Sequence, residues 1–490
     1  MKLGVVFFLL FFHLTFFAQN QHESYNPITN FAPSDSLINS LAYKLNNPNY
    51  QTSLKNHKHI KELKEIYLKR SDYIKELHND KMLMQHDPIT NLLQEITNLL
   101  LQSQPNLTQD NIIVFTVRDN EINAFSLGKG VILINIALLE RLNSWEEIAF
   151  ILGHEAGHDI MVHALKSSEK NILIKNDKNL IKEVKTAAKK EYGSYTAVKD
   201  IYYNIISLTA MHSRENELQS DSIGFYLLNE LGLTQRGGQG ALTVLDSSDY
   251  FLYDTKIDIA KTFSNDNYTF NEDWLESGSA APSWSATKKL YYIPDSLKTH
   301  PNINERKKRI SLLNELENDT IDANIEKLRL LEVKFSRLKK MLTLESILTQ
   351  IETGNYSLAL YNAINVKHLY PEESFLDYLI AHSLLEIIVA LKNQQFNIHV
   401  PFPNNKFPEN FNELLHFLHN VNSSKLTEVY NSYVKSHLTN ESLLAYHHFL
   451  NAYSKFYIER YADEFLLNVP YTNYYHQKVI KNIKSQLIKK

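Results

Sequence analysis

The 490-residue chain contains no cysteine. That absence excludes disulfide stabilisation, a thiol nucleophile and the lipidated cysteine of a lipoprotein anchor. No long basic stripe is present either. Its 51 basic and 55 acidic residues leave a net charge of −4, which argues against nucleic acid as a partner. No Gly-x-Ser-x-Gly elbow occurs, so a serine hydrolase of that kind falls with the cysteine one. After the first eighteen residues no apolar run approaches bilayer-spanning length, so no integral membrane segment is expected in the remainder. The rest is an ordinary globular balance, 43% hydrophobic and 22% charged, sufficient for two or three domains with sizeable cores.

The start of the chain stands apart. Lys2 supplies a positive charge, Leu3 to Phe17 is mostly Val, Leu and Phe, and the chain turns polar after Ala18. This pattern reads as a secretory signal over residues 1–18, with an uncleaved anchor as the alternative, and places the mature protein in the periplasm or outside the cell. Residues 19–33, polar and containing Pro27 and Pro33, read as a flexible lead-in. An N-terminal helical segment extends to about residue 100, closing on Ile89, Leu92, Leu93, Ile96, Leu99 and Leu100 at helical spacing after Pro88. Strand patterns follow at 112–115 and, after Gly128-Lys129-Gly130, at 131–134. A helix then opens at about Trp145, with Ser144 and Glu147 in capping-box spacing.

Residues 166–200 are Lys-rich and read as an exposed helical excursion, and 246–299 as a long, aromatic, irregular segment. Beyond 302 the pattern is helical throughout. Gly354-Asn355-Tyr356, Ala359, Pro371 and Ala381 have the spacing of a degenerate tetratricopeptide pair, which an ordinary helical hairpin explains equally. At the far end Val479, Ile480, Ile483 and Leu487 form the inward stripe of a helix whose lysines face solvent. The expected domains are 19–100, a catalytic domain over 101–315, and a helical module over 316–490.

Residues 153–158 read Gly-His-Glu-Ala-Gly-His. On a helix, positions four apart share a face, so His154 and His158 present two imidazoles to one point, with Glu155 beside them. That pair suits Zn²⁺, which needs a third protein ligand and an open position. A second half-buried helix carries Glu217 and Asp221, again four apart. One carboxylate there can bind metal while the other accepts a hydrogen bond from a ligating histidine.

Taken together, these residues resemble the HtpX-like and CAAX-prenyl-endopeptidase-like zinc metallopeptidases, a gluzincin group, over about Asp110 to Arg309. The resemblance rests on Asn123-Ala124-Phe125, the strand at Val131, Leu138-Leu139, Glu147, His154-Glu155-x-x-His158, His163, Glu217-x-x-x-Asp221, His300-Pro301 and Glu305-Arg306. Ser220, where the family favours alanine, and the Lys-rich stretch between the motifs depart from it. The resemblance implies a mostly α (α+β) gluzincin domain with a small β-sheet, followed by a tetratricopeptide-like helical module. It implies one zinc on His154, His158 and Glu217, with Glu155 as general base. Asp221 and His163 would support the ligands, and Asn123, Ala124 and Phe125 would form a substrate-binding edge strand. His300 and Arg306 are candidates for stabilising the oxyanion; alternatively His300 plugs the metal, delivered by an aromatic gate that includes Tyr250, Phe251, Tyr253, Tyr291 and Tyr292.

The expected activity is endoproteolysis of unfolded or misassembled envelope proteins, with an envelope partner engaged through the helical module. A helical-repeat adaptor with a latent protease domain is the alternative.

Overall fold

The computed structural model describes residues 31–47, 52–102, 111–179, 213–247, 251–277, 302–316, 325–440 and 443–459, with residues 25, 27, 28, 181, 182, 186, 476–481 and 483. The signal-like segment 1–18, Tyr250, Tyr291, Tyr292 and the His300-Pro301 pair lie outside these residues. The chain divides into two compact units. One comprises Asn30–Tyr250 with Pro282–Thr343, and the other Met1–Thr29, Phe251–Ala281 and Leu344–Lys490.

The first unit is built on a four-stranded sheet of order β1-β2-β4-β3. Its strands are β1 (Leu83–Met84), β2 (Ile113–Val117), β3 (Ala124–Gly128) and β4 (Val131–Asn135). β2 and β4 run parallel with Phe115 opposite Leu133, while β3 pairs antiparallel with β4 and forms the edge. All five residues of β4 are buried, as expected of a central strand covered on both faces. On one face Phe115, Val117, Val131 and Leu133 pack with Ile38, Leu45, Ile74 and Leu77 from α1 (Asp35–Asn46) and α2 (His57–Asn79). Toward the other lies α3 (Pro88–Gln102), tied to the sheet by the Thr90 hydroxyl, which donates to the Thr116 hydroxyl at 2.9 Å. Pro88 opens α3 because the Asp87 carboxylate caps it, accepting from the Ile89 and Thr90 amides at 2.9 and 3.0 Å.

After β4 come α4 (Ile136–Arg141), α5 (Trp145–Ile160), α6 (His163–Lys175), α7 (213–229), α8 (Arg236–Asp246), α9 (Ile303–Leu316) and α10 (Ile325–Glu352). The last of these continues into the second unit after Thr343. Ser144 caps α5 by accepting from the Glu147 amide at 3.2 Å, and Glu147 accepts in turn from the Asn143 amide at 2.7 Å. The start of the Lys-rich stretch is not an excursion. Leu165 and Ile172 of α6, seven apart, pack on Leu54, Leu63 and Tyr67, while Lys166 and Lys175 are exposed.

The described residues of the second unit are mostly helical, with residues 251–277 largely irregular. Its core joins the end of α10 to α11 (Tyr356–Leu369), α12 (Ser374–Lys392), α13 (Glu409–Asn420), α14 (Ser423–His437) and α15 (Leu444–Ser454). Gly354, at φ +88°, makes the turn into α11, and its carbonyl accepts from His399 Nδ1 at 2.7 Å. α12 is long and apolar enough to cross a membrane, which the sequence reading had not credited to any stretch after residue 18. Here 89% of that apolar window is buried inside the protein.

Two further expectations are corrected in this unit. Phe251 and Tyr253, placed in a gate from the sequence, pack against its helical core, as do Ile257, Ile259, Phe263 and Phe270. The lead-in is also held rather than loose at its described residues. The Tyr25 amide donates to Glu373 at 3.0 Å, and the Ile28 amide donates to the fully buried Glu345 at 2.8 Å. Buried carboxylates need donors, and the main chain of this segment supplies them. At the far end Ile480 and Ile483 are buried, as the stripe pattern required.

Candidate metal centre

α5 and α7 cross at unusually close range. A Cβ on Gly153 would lie 3.1 Å from Gly224 Cα, and one on Gly157 would lie 3.1 Å from Ser220 Cα. Ser220, the departure from alanine noted above, is fully buried at this crossing. Close approach is what lets side chains of two helices converge on one point.

His154 and His158 project from successive turns of α5, their Nε2 atoms 3.1 Å apart. Glu217 comes from α7, with Oε1 at 3.3 Å from His158 Nε2 and Oε2 at 3.6 Å from His154 Nε2. One donor atom from each of the three lies within 4.8 Å of the others. The supporting contacts orient both rings. His154 Nδ1 lies 2.9 Å from Asp221 Oδ1, so Nδ1–H donates to the carboxylate and Nε2 keeps its lone pair for the shared point. His163 donates Nε2–H to Gln219 Oε1 at 3.0 Å, leaving its Nδ1 to accept from His158 Nδ1 at 3.1 Å, so His158 likewise offers Nε2. Two neutral nitrogens and a carboxylate oxygen aimed at one spot fit a zinc-type cation.

Arg306, from α9, is buried against the same cluster. Its Nε and Nη2 donate to the two oxygens of Asp221 at 2.7 and 2.6 Å, and its Nη1 stands 3.5 Å from Glu217. Asp221 is fully buried. Burial alone would raise its carboxyl pKa, but the Arg306 guanidinium and the His154 hydrogen bond outweigh it and hold the pKa below the usual value. For His154 burial works downward, yet the hydrogen bond to Asp221 and the charges of Asp221 and Glu217 lift it above the ordinary histidine value. For His163 burial wins and lowers it to about 4, so this ring is neutral at physiological pH.

Glu155 is buried beside the cluster. Burial pushes its carboxyl upward, opposed by the His154 and His158 rings and by the Ser126 main-chain amide. These side chains line a cleft of about 610 Å³ whose other wall is the edge strand β3 with its preceding residues, Asn123, Ala124, Phe125 and Ser126. The structure therefore gathers His154, Glu155, His158, His163, Glu217, Asp221, Arg306 and residues 123–125 in one place. His300 lies outside the described residues. The sequence reading missed Gln219, whose signal was its place between Glu217 and Asp221. It also missed Asp159, next to His158, whose Oδ2 accepts from the Gly130 amide at 3.0 Å.

Residues 90–314 match peptidase family M48, a stretch that contains every residue of this cluster. The chain carries a family M48 metallopeptidase domain. Curated relatives agree: the metalloprotease YcaL of Escherichia coli (strain K12) is 28% identical over 130 residues, 26% of this chain and 49% of that protein. The mitochondrial metalloendopeptidase OMA1 of Bos taurus is 28% identical over 99 residues, covering 20% of this chain and 19% of the relative. The Arabidopsis thaliana OMA1 is 29% identical over 126 residues, covering 25% and 23%. The chain thus matches half or less of each relative's length.

Proposed function

We propose that the chain is an exported zinc metalloendopeptidase, periplasmic or secreted, that hydrolyses peptide bonds in unfolded or misassembled envelope proteins. The observation that carries the reading is the convergence of His154, His158 and Glu217 in a cleft that also holds Glu155 and a sheet edge. Those three residues would hold the ion. Zinc supplies a Lewis acid there, one that lowers the pKa of water and draws charge onto a carbonyl oxygen.

The rest is done by the chain. Glu155, whose carboxylate is kept basic by burial, takes the proton of the attacking water and delivers it to the leaving amine. Asp221 fixes the tautomer of His154, and the His163–Gln219 pair fixes that of His158. Arg306, with Nε and Nη2 engaged by Asp221, is read as the brace of that carboxylate. β3, the terminal strand of the sheet among the described residues, offers its edge to an extended peptide through main-chain hydrogen bonds, a recognition indifferent to most side chains. That indifference supports unfolded chains as the substrate class. Export rests on the signal-like pattern of residues 1–18, and the helical unit is read as the site of an envelope partner.

Purified protein should contain about one zinc per chain, since the cluster supplies one ligand set, and should cleave casein. Glu155→Gln should retain the zinc and lose turnover by roughly 10²- to 10⁴-fold. Metal-free protein that cleaves normally, or near wild-type activity in Glu155→Gln, contradicts the proposal.

A further inference from the structure

The hairpin that ends the substrate-facing edge is built under constraint. Gly128, Lys129 and Gly130 all have positive φ, at 87°, 56° and 75°. A β-bulge interrupts the register between Ser126 and Gly128. Lys129 is not a glycine, so its left-handed conformation costs energy that a bond elsewhere must offset. Two interactions pin this turn from outside β3. The Gly130 carbonyl accepts from the Ile113 amide at 2.7 Å, which anchors it to β2. The Gly130 amide donates to Asp159 Oδ2 at 3.0 Å, which anchors it to the last turn of α5. The other oxygen of Asp159 lies within 3.9 Å of the Cβ position of Gly128, so the carboxylate sits against both glycines of the turn.

Asp159 directly follows His158. The charge-assisted bond to Gly130 therefore ties the turn of the edge strand to the helix segment that bears the cluster. Such bonds are shorter and stronger than neutral ones and specify position. The stretch that follows this turn backward, Ser126 to Asn123, is the wall of the cleft opposite His154, Glu155 and His158.

We infer that Asp159 is a positioning residue, setting the distance between the peptide-binding edge of β3 and the catalytic helix. The inference rests on the proposed protease reading and assigns the control of substrate placement within it. A peptide added to β3 takes its main-chain hydrogen bonds from the strand, so slack in the turn weakens its docking on that edge. The loss of one charge-assisted bond, with β2 still holding the turn, corresponds to a loosened edge rather than a lost one.

The test compares Asp159→Ala and Asp159→Asn in the full-length zinc-loaded protein. The asparagine retains an oxygen that can accept from the Gly130 amide. Asp159→Ala should raise KM for casein by about tenfold, the factor that one such bond supports, with kcat within a factor of about two to three of wild type and zinc content unchanged. Asp159→Asn should recover most of the KM. Independently of activity, hydrogen exchange at residues 124–130 should quicken in Asp159→Ala and return toward wild type in Asp159→Asn. Unchanged KM and exchange in Asp159→Ala overturn the inference. A fall in zinc content with kcat at constant KM also overturns it, because Asp159 would then serve the metal helix alone. If the wild type neither binds zinc nor cleaves, the protease reading fails, and the exchange measurement still decides whether Asp159 holds the edge.

Discussion

Replacing Asp221 by alanine removes the group on which most of the buried polar cluster depends. The carboxylate is fully buried and accepts from Arg306 Nε, Arg306 Nη2 and His154 Nδ1 at 2.7, 2.6 and 2.9 Å. Arg306 is itself 4% exposed, and without Asp221 its nearest carboxylate is Glu217, at 3.5 Å. Deleting Asp221 leaves the buried guanidinium with the looser Glu217 contact in place of a two-pronged one, and deletions within buried pairs cost about 3–5 kcal/mol. The same substitution takes from His154 the acceptor that fixes its tautomer, which weakens metal binding by roughly 10- to 100-fold. Urea unfolding of the metal-free protein followed by circular dichroism reads the first effect, and competition with a chromophoric chelator reads the second. A double variant separates them. Asp221→Leu with Arg306→Met replaces the pair by apolar groups, which buried sites tolerate, so most of the stability should return. Zinc affinity should not return, because His154 still has no acceptor. A cost below about 1 kcal/mol for Asp221→Ala, the range of an exposed pair, would refute the reasoning, as would recovery of zinc affinity in the double variant.

Two other outcomes follow from the packing. Gly224→Ala places a Cβ 3.0 Å from the His154 amide nitrogen and 3.3 Å from the Phe150 carbonyl oxygen, both main-chain atoms that cannot swing away. It should cost about 1–3 kcal/mol and lower zinc retention together with Tm; an unchanged Tm would show that α5 and α7 yield freely. In the helical unit, burial holds the pKa of His476 well below its ordinary value, reinforced by His382. The unfolded chain therefore binds a proton near pH 6.5 that the folded one refuses, so stability is full above that pH and falls by up to about 1.4 kcal/mol per unit below it, toward the folded pKa. His476→Phe should flatten this slope between pH 6.5 and 5.5 in urea titrations, and an identical slope in both proteins would assign the acid sensitivity elsewhere.

The convergence of the histidine and carboxylate pairs was legible because their spacing is local. His154 with His158, and Glu217 with Asp221, are each one helical turn apart, and a helix turns that spacing into a shared face whatever the rest of the chain does. The same holds for the helix start at Pro88, the Ser144 cap and the apolar β4 run. What failed depended on partners far along the chain. The lead-in reads as polar and loose, yet its amides bind Glu373 and Glu345, 348 and 317 residues away. The aromatics at 251–270 suit a gate as well as a core, and their apolar partners in α11, α13 and α14 decided for the core. α12 escaped notice as a long apolar helix because Asp377, His382 and Glu386 interrupt it, and all three are buried among hydrogen-bonding or charged partners.

Arg306 shows where the boundary runs. Its sequence context, an arginine in the first turns of a helix shortly after His-Pro, suits an oxyanion donor and a structural brace alike. The choice depends on which acceptor the guanidinium meets, a matter of helix placement rather than residue type. α9 brings it onto Asp221 in a two-pronged contact, and a fork engaged in that way has its strongest donors committed. A charge on this chain is therefore readable in kind from the sequence and in role only from its partner. Asp159 obeys the same rule, since nothing in the order Gly-His-Asp-Ile distinguishes a solvated helix end from a carboxylate that accepts from the Gly130 amide and holds the turn after β3.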